Sequence, residues 1–367
     1  MDLITLFLCG DVMTGRGIDQ ILPHPSHPRL FEENIRDARD YVSLAERESG
    51  SIARPAETSA IWGDALDELT RVRPDVRIVN LETSVTESSD VWRDKAVHYR
   101  MHPSNVSCLV ALGADVCVLA NNHVMDWGAA GLLETLATLK HAGLATAGAG
   151  ATRKEAWRPA IVNLEAGRHV VVAGFGHGSS GIPAEWAATE HAPGVALLSD
   201  LSEASAELVG DVIGSARKRG GIAVASVHWG SNWGYEVPQQ HSRFAHALID
   251  RGVDIVHAHS SHHPRPIELY RGKLILYGCG DFIDDYEGIS GHDRFRDDLV
   301  LMYFPTVDAG TGELIELRMM PMRIRKMRLE RASQLEASWL KELLSSISRP
   351  YGTDVVRVGG TELLALG

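Results

Sequence analysis

Cysteine is scarce in this 367-residue chain: Cys9, Cys108, Cys117 and Cys279 stand far apart and form no CxxC pair. That spacing excludes a disulfide scaffold and a zinc ribbon and fits reduced thiols. Basic charge is also in deficit. Lys and Arg number 36 against 48 Asp and Glu, a formal net charge of −12, which argues against a broad nucleic-acid surface. No apolar run approaches the roughly 20 residues of a membrane span. The start, MDLITLFLCGDVM, has Asp2 where a secretion signal carries Lys or Arg, and no small-residue cleavage site. The expectation is a cytoplasmic protein with no nucleic-acid and no membrane partner. Repeats and low-complexity tracts are missing. GFG (174–176) and GAGAT (148–152) match neither a P-loop nor a dinucleotide fingerprint. Ser179-Ser180-Gly181 lacks the nucleophile-elbow pattern.

What the chain does have is alternation. Short apolar runs at 3–11, 75–82, 114–123, 169–178, 221–230, 254–259 and 273–281 read as buried strands. Amphipathic stretches such as 128–143 and 242–252 lie between several of them. That order predicts an α/β protein whose strands are covered on both faces. The stretch 314–332 predicts strands with basic residues facing outward, followed by a helix near 334–347. The organisation expected is one domain over 1–367, with the polar, irregular segment 28–60 as an insertion or lid.

Polar residues recur where the apolar strands end: Asp11, Glu82, Asn122, His228 and His259. Ligands of open α/β sheets bind outside such strand ends. The stretch DIVHAHSSHHPRP (254–266) adds His257, His262 and His263 to His259. A lone Asp11 or Asn122 would read as a turn or helix cap. Carboxylate, amide and imidazole groups in series at successive strand tips instead make a ligand set for a divalent metal, Zn, Mn, Fe, Ni or Ca, as one or two ions. Trp229, Trp233 and Tyr235 read either as packing or as walls of a substrate pocket. Arg100 reads as a bidentate anion site or as a surface salt bridge.

The ordered motifs GDVM (10–13), NLET (80–83), ANNHVMDWG (120–128), SVHWG (226–230), VHAHSSHHP (256–264) and YGCGDF (277–282) resemble those of the CapA family, associated with poly-γ-glutamate capsule biosynthesis. The resemblance implies a calcineurin-like metallophosphoesterase fold, a β-sandwich of two mixed sheets flanked by helices. It implies Asp11, Glu82, Asn122, His228, His257 and His259 as metal ligands. Met13 replaces the histidine of the superfamily's first motif, implying one firm metal and a weak or absent second. A branch of this fold resembles lasso-peptide epimerases. On that model the metal polarises the C-terminal carboxylate of a precursor peptide and the α-carbon is inverted. His123 and His262 would move protons, Asp281 would orient a histidine, and Arg100, Trp229 and Trp233 would bind substrate. The alternatives are a metal-dependent hydrolase, either a phosphoesterase or a poly-γ-glutamate hydrolase, and a non-catalytic capsule-biosynthesis accessory protein; the partner expected is a precursor peptide or another carboxylate- or phosphate-bearing substrate.

Overall fold

The computed structural model describes residues 2–218, 221–359 and 361–367. Two sheets are stacked face to face. In the first, the strand Leu3–Val12 lies between Leu299–Asp308 and Val76–Leu81, and Val116–Val118 and Ala145–Ala147 follow in order. In the second, His169–His177, Gly221–His228, Ile255–His259 and Lys273–Leu276 lie side by side in that order. The pairs 3–12/76–81 and 221–228/255–259 are parallel, whereas 3–12/299–308 is antiparallel, so the first sheet is mixed. The second is mixed as well, because Ile267–Tyr270 runs antiparallel to Lys273–Leu276.

Alternation along each strand explains the stacking. Ile4, Leu6 and Leu8 join Val170, Val172, Ile222, Val224 and Ile255 in a core between the sheets. Phe7 and Cys9, one residue out of phase, face a second core under the helices Arg16–Ile21, Arg39–Ser49 and Gly128–His141. Opposite faces of one strand therefore serve two cores, as a period of two requires. Ala223, Ala225 and Val227 face a third core with the helices Glu203–Ala216 and Gln239–Asp250. The layers run helix, sheet, sheet, helix. Segment 28–60 contributes Leu30, Tyr41, Val42 and Ala45 to the helix-side core of the first sheet.

One strand departs from the sequence expectation. The run 273–281 breaks in two: Lys273–Leu276 belongs to the second sheet and Asp281–Ile283 to the first. The turn between them crosses the sandwich. Asp281 thereby becomes the register partner of Asp11. The approach is close enough to need glycine, since a Cβ on Gly10 would lie 1.7 Å from the Gly280 carbonyl oxygen. Gly280 itself sits at φ +76°, a region that costs glycine little. The expected strands at 314–332 form a hairpin, Leu314–Arg325 with Arg328–Arg331, and the expected last helix is Gln334–Ser348, closed by a Ser333–Glu336 capping box.

Candidate metal centre

The parallel strands of both sheets deliver their C-terminal residues to one place. Two groups of ligand atoms assemble there, each with its atoms within 4.8 Å of one another: Asp11, His228 and His259, and Asp11, His262 and Asp281. All five residues are buried, and Asp11 belongs to both groups.

In the first group the protonation states can be worked out bond by bond. The Cys9 carbonyl can only accept, so His257 Nε2, 2.7 Å away, carries a proton. Neutral His257 then has a bare Nδ1, which accepts from the Ser226 hydroxyl at 3.0 Å. That uses Ser226's one proton, so its oxygen accepts from His259 Nε2 at 2.9 Å. A lone pair is left on His259 Nδ1. On His228, Nε2 donates to Asn122 Oδ1 at 2.8 Å, which leaves Nδ1 bare there too. The two bare nitrogens face each other 2.8 Å apart. Facing lone pairs repel unless something positive lies between them. Burial holds both imidazoles well below their ordinary pKa, so a proton is disfavoured. Asp11 Oδ1 stands 3.8 Å from His259 Nδ1, and Glu82 Oε2 stands 3.8 Å from His228 Nδ1. Two imidazole lone pairs beside carboxylates fit a divalent cation.

The carboxylates are held in complementary fashion. Asn80 Nδ2 donates to Asp11 Oδ1 at 2.7 Å and to Glu82 Oε2 at 3.0 Å. Ser260 N–H donates to Asp11 Oδ2 at 3.2 Å. Ser260 does so from φ +102°, a strained conformation for a non-glycine residue, of the kind that clusters at functional sites. Burial pushes the Asp11 carboxyl up to about 6, against the lowering pull of His262 and Asn80. Burial and the neighbouring Asp11 push Glu82 well up, and the same two causes raise Asp281. Raised carboxyls beside depressed imidazoles mark a pocket short of positive charge, which a cation would supply.

The second group differs. His262 Nδ1 lies 3.0 and 3.1 Å from the two Asp281 oxygens, and Asn232 Nδ2 meets Nε2 at 3.1 Å. Asn232 donates to Nε2, so the ring proton sits on Nδ1, against Asp281. Beside this pair the Tyr286 ring stands edge-on to His262 at 5.2 Å. Its hydroxyl is 3.1 Å from that of Tyr99, whose ring stands edge-on to His123 at 4.6 Å. His123 Nδ1 bonds Asp126 Oδ2 at 2.7 Å, and its Nε2 points toward Glu82 Oε1 at 4.0 Å. Burial lowers His123 to about 4, opposed by Asp126.

Several expected residues have other employment. His257 sets its ring nitrogens against the Ser226 hydroxyl and the Cys9 carbonyl, and the Asn122 side-chain carbonyl accepts from His228 with a second lone pair to spare. Arg100 donates to the backbone carbonyls of Ser88 and His27 and covers Trp127 at 3.9 Å, so it braces loops. Trp229 is buried in the outer core, stacked on His241 at 4.6 Å and bonded to the Tyr277 carbonyl. It is packing, because a tryptophan following a strand-tip residue points to the opposite sheet face. Trp233 does flank the centre, 5.3 Å from His262 and stacked at 3.8 Å on His292. Met13 is buried, and its sulfur accepts from the Tyr286 hydroxyl at 3.7 Å.

Sequence reasoning missed Asp126, Lys95, Ser226 and Arg16. Lys95 Nζ reaches Asp126 Oδ1 at 2.5 Å, His123 Nδ1 at 3.2 Å and the Asn122 backbone carbonyl. Arg16, buried and at φ +54°, grips Asp285 through two nitrogens at 2.9 and 2.5 Å. Asp126 lies three residues after His123, a spacing that had been available as a signal. Arg16, Ser226 and Lys95 carry no local pattern of that kind.

The chain is thus a mixed α/β two-sheet protein with a buried His/Asp centre compatible with metal at its strand ends. Residues 5–286 match the family described as bacterial capsule synthesis protein PGA_cap, and the chain belongs to that CapA family. It is 49% identical over 356 residues to a probable polyglutamine synthesis accessory protein of Mycobacterium tuberculosis strain H37Rv, covering 97% of this chain and 94% of that one. It is 26% identical over 304 residues to the PGA biosynthesis protein CapA of Bacillus subtilis strain 168, covering 82% and 68%. Among solved structures, a 5'-nucleotidase precursor from Thermus thermophilus aligns with a TM-score of 0.48 at 14% identity, over 95% of this chain and 59% of that longer one. No helix among the described residues is long and apolar enough to cross a membrane.

Proposed function

We propose that this protein is a metal-dependent hydrolase that cleaves an amide or phosphoester linkage in an acidic, glutamyl-type substrate. The observation that carries this reading is the sharing of Asp11 between two adjacent ligand groups, an arrangement suited to a pair of cations. Divalent cations bound there would supply Lewis-acid charge and lower the pKa of attacking water. The chain's own groups do the rest. Asp126, itself held by Lys95, takes the His123 Nδ1 proton, so that a bare Nε2 faces the centre, where it can accept a proton from attacking water. Asp281 fixes the His262 ring at the opposite side. The Trp233–His292 stack walls the approach. The relatives are named for polyglutamine synthesis and PGA biosynthesis, and with the CapA resemblance these names make poly-γ-glutamate the first substrate to try. Protein loaded with Mn²⁺ should release glutamate or short oligomers from that polymer, or hydrolyse p-nitrophenyl phosphate, and His123→Gln should slow either reaction by about 10²–10⁴ while keeping its metal. Inactivity of the metal-loaded protein on both substrate classes would end the proposal.

A second reading, epimerisation at the C-terminal α-carbon of a precursor peptide, is favoured by a separate observation. Two histidine–carboxylate pairs, His123–Asp126 and His262–Asp281, stand about the centre. One imidazole would take the α-proton and the other would return one to the opposite face. Incubation with a candidate peptide in D₂O should place deuterium on that carbon; retention of hydrogen there rules the reading out.

A further inference from the structure

Hydrolysis builds negative charge on one substrate oxygen, and that oxygen is stabilised by a donor aimed at it. Most donors about the centre are already spent. The His123 proton goes to Asp126 and the His262 proton to Asp281. His228 gives its proton to Asn122, and His259 gives its own to Ser226. Asn80 divides its amide between Asp11 and Glu82. Tyr286 differs from all of these. The Tyr99 hydroxyl donates to the Tyr286 oxygen at 3.1 Å, so the Tyr286 proton points elsewhere, and it meets the Met13 sulfur at 3.7 Å. A thioether is a weak acceptor. Tyr286 is thus a phenol, protonated at neutral pH, whose hydrogen rests on sulfur alone. Its ring stands edge-on to His262 and the Tyr99 ring edge-on to His123, so the joined hydroxyls link the flanks of the two imidazoles. Met13 and Tyr99 are fully buried, whereas Tyr286 keeps some exposed surface. The Arg16 guanidinium lies 4.6 Å from the Tyr99 ring and 5.8 Å from the Tyr286 ring, and a cation behind a phenol makes its O–H a stronger donor.

We propose that Tyr286 donates its hydroxyl hydrogen to the anionic oxygen of the substrate. The hydrogen swings away from the Met13 sulfur by rotation about the C–O bond, with the ring held in place by its neighbours and no covalent bond made or broken. A substrate suited to this donor carries a scissile group that is, or becomes, an oxyanion, as phosphoesters and amides do. Tyr286 is then a catalytic residue in the hydrolase reading, on which this inference rests; reading binding without turnover separates the two.

Calorimetric titration of the Mn²⁺-loaded full chain with methylphosphonate, a tetrahedral anion, tests it. Saturable binding is expected in the wild type, weakened about tenfold or more in Tyr286→Phe, as loss of a hydrogen bond to a charged group implies. Elemental analysis should find the same manganese content in both proteins. Tyr99→Phe keeps the Tyr286 hydroxyl and should weaken binding by less, and circular dichroism of both variants guards against a folding defect. On p-nitrophenyl phosphate, Tyr286→Phe should lower kcat about 10²–10³-fold. Weakened binding in Tyr286→Phe, beside a wild type that turns over no substrate, ends the hydrolase reading and keeps the donor. Equal affinity for methylphosphonate and equal turnover in the two proteins overturn the donor and keep the hydrolase. Absence of saturable binding also overturns the proposal, as does loss of manganese from Tyr286→Phe, which would make the tyrosine a brace for the metal centre.

Discussion

The two ligand groups that share Asp11 are built on opposite principles. In the deep group, every ring nitrogen that does not face the centre is tied down: His259 by Ser226, His228 by Asn122, and Ser226 in turn by His257 and the Cys9 carbonyl. Its two facing nitrogens are bare. In the outer group the His262 proton rests against Asp281, and the far nitrogen leans on Asn232, an exposed loop residue. A cation entering the deep group meets lone pairs already aimed. One entering the outer group must first displace a proton. Rigidity belongs to the half rooted in two central strands, and adaptability to the half that meets the aromatic wall.

The harshest way to break this comparison is Asp11→Ala, which removes the residue common to both halves. Metal content measured by elemental analysis should fall to near zero, with activity lost alongside it. A variant that keeps one tightly bound ion would show the groups to be independent. Next come the halves one at a time. His259→Ala should abolish the tighter step of a metal titration, and destabilise the fold by about 1–3 kcal/mol by stranding the Ser226 hydroxyl. His262→Ala should remove only the weaker, proton-releasing step, and destabilise the fold by about 1–3 kcal/mol by stranding the buried Asp281 carboxylate. Identical titrations for the two variants would erase the distinction. Ser226→Ala sharpens the point without touching a ligand: affinity at the deep site should drop about 10–100-fold, the usual cost of losing a partner that orients a metal-bound histidine.

The smallest effect concerns a histidine buried for packing. His241 lies under Trp229 with its Nε2 unpartnered, and burial, then Arg265, lowers it to about 4. A group depressed on folding contributes stability that is present above its unfolded value near 6.5 and lost as the pH falls through about 4. Unfolding free energy should therefore decline by about 2 kcal/mol between pH 7 and pH 5 from this residue. His241→Phe should flatten that part of the profile, as read by urea denaturation across pH. An unchanged slope would mean that the ring is solvated or paired.

Much of the architecture was legible from period alone. Apolar runs at 3–11, 169–178 and 221–230 became strands because burial on both faces leaves no polar position to interrupt them. The strand-tip residues Asp11, His228 and His259 converge because parallel strands end on the same side. The splitting of 273–281 was not legible, since an apolar run does not say which sheet it joins. Nor were the contacts that Trp229, Arg100 and His257 make. Their residue types suit a site, but their side chains are claimed by nearer partners.

By itself, the order of residues determined that imidazoles and carboxylates would gather at the ends of buried parallel strands, because alternation and strand direction are local properties. Which of them turn a free nitrogen or oxygen toward the centre, and which are turned to a neighbour, was decided only in three dimensions. A ring nitrogen's role is set by what lies within 3 Å of its other nitrogen, and those neighbours, such as Cys9 to His257, come from as far as 248 positions away.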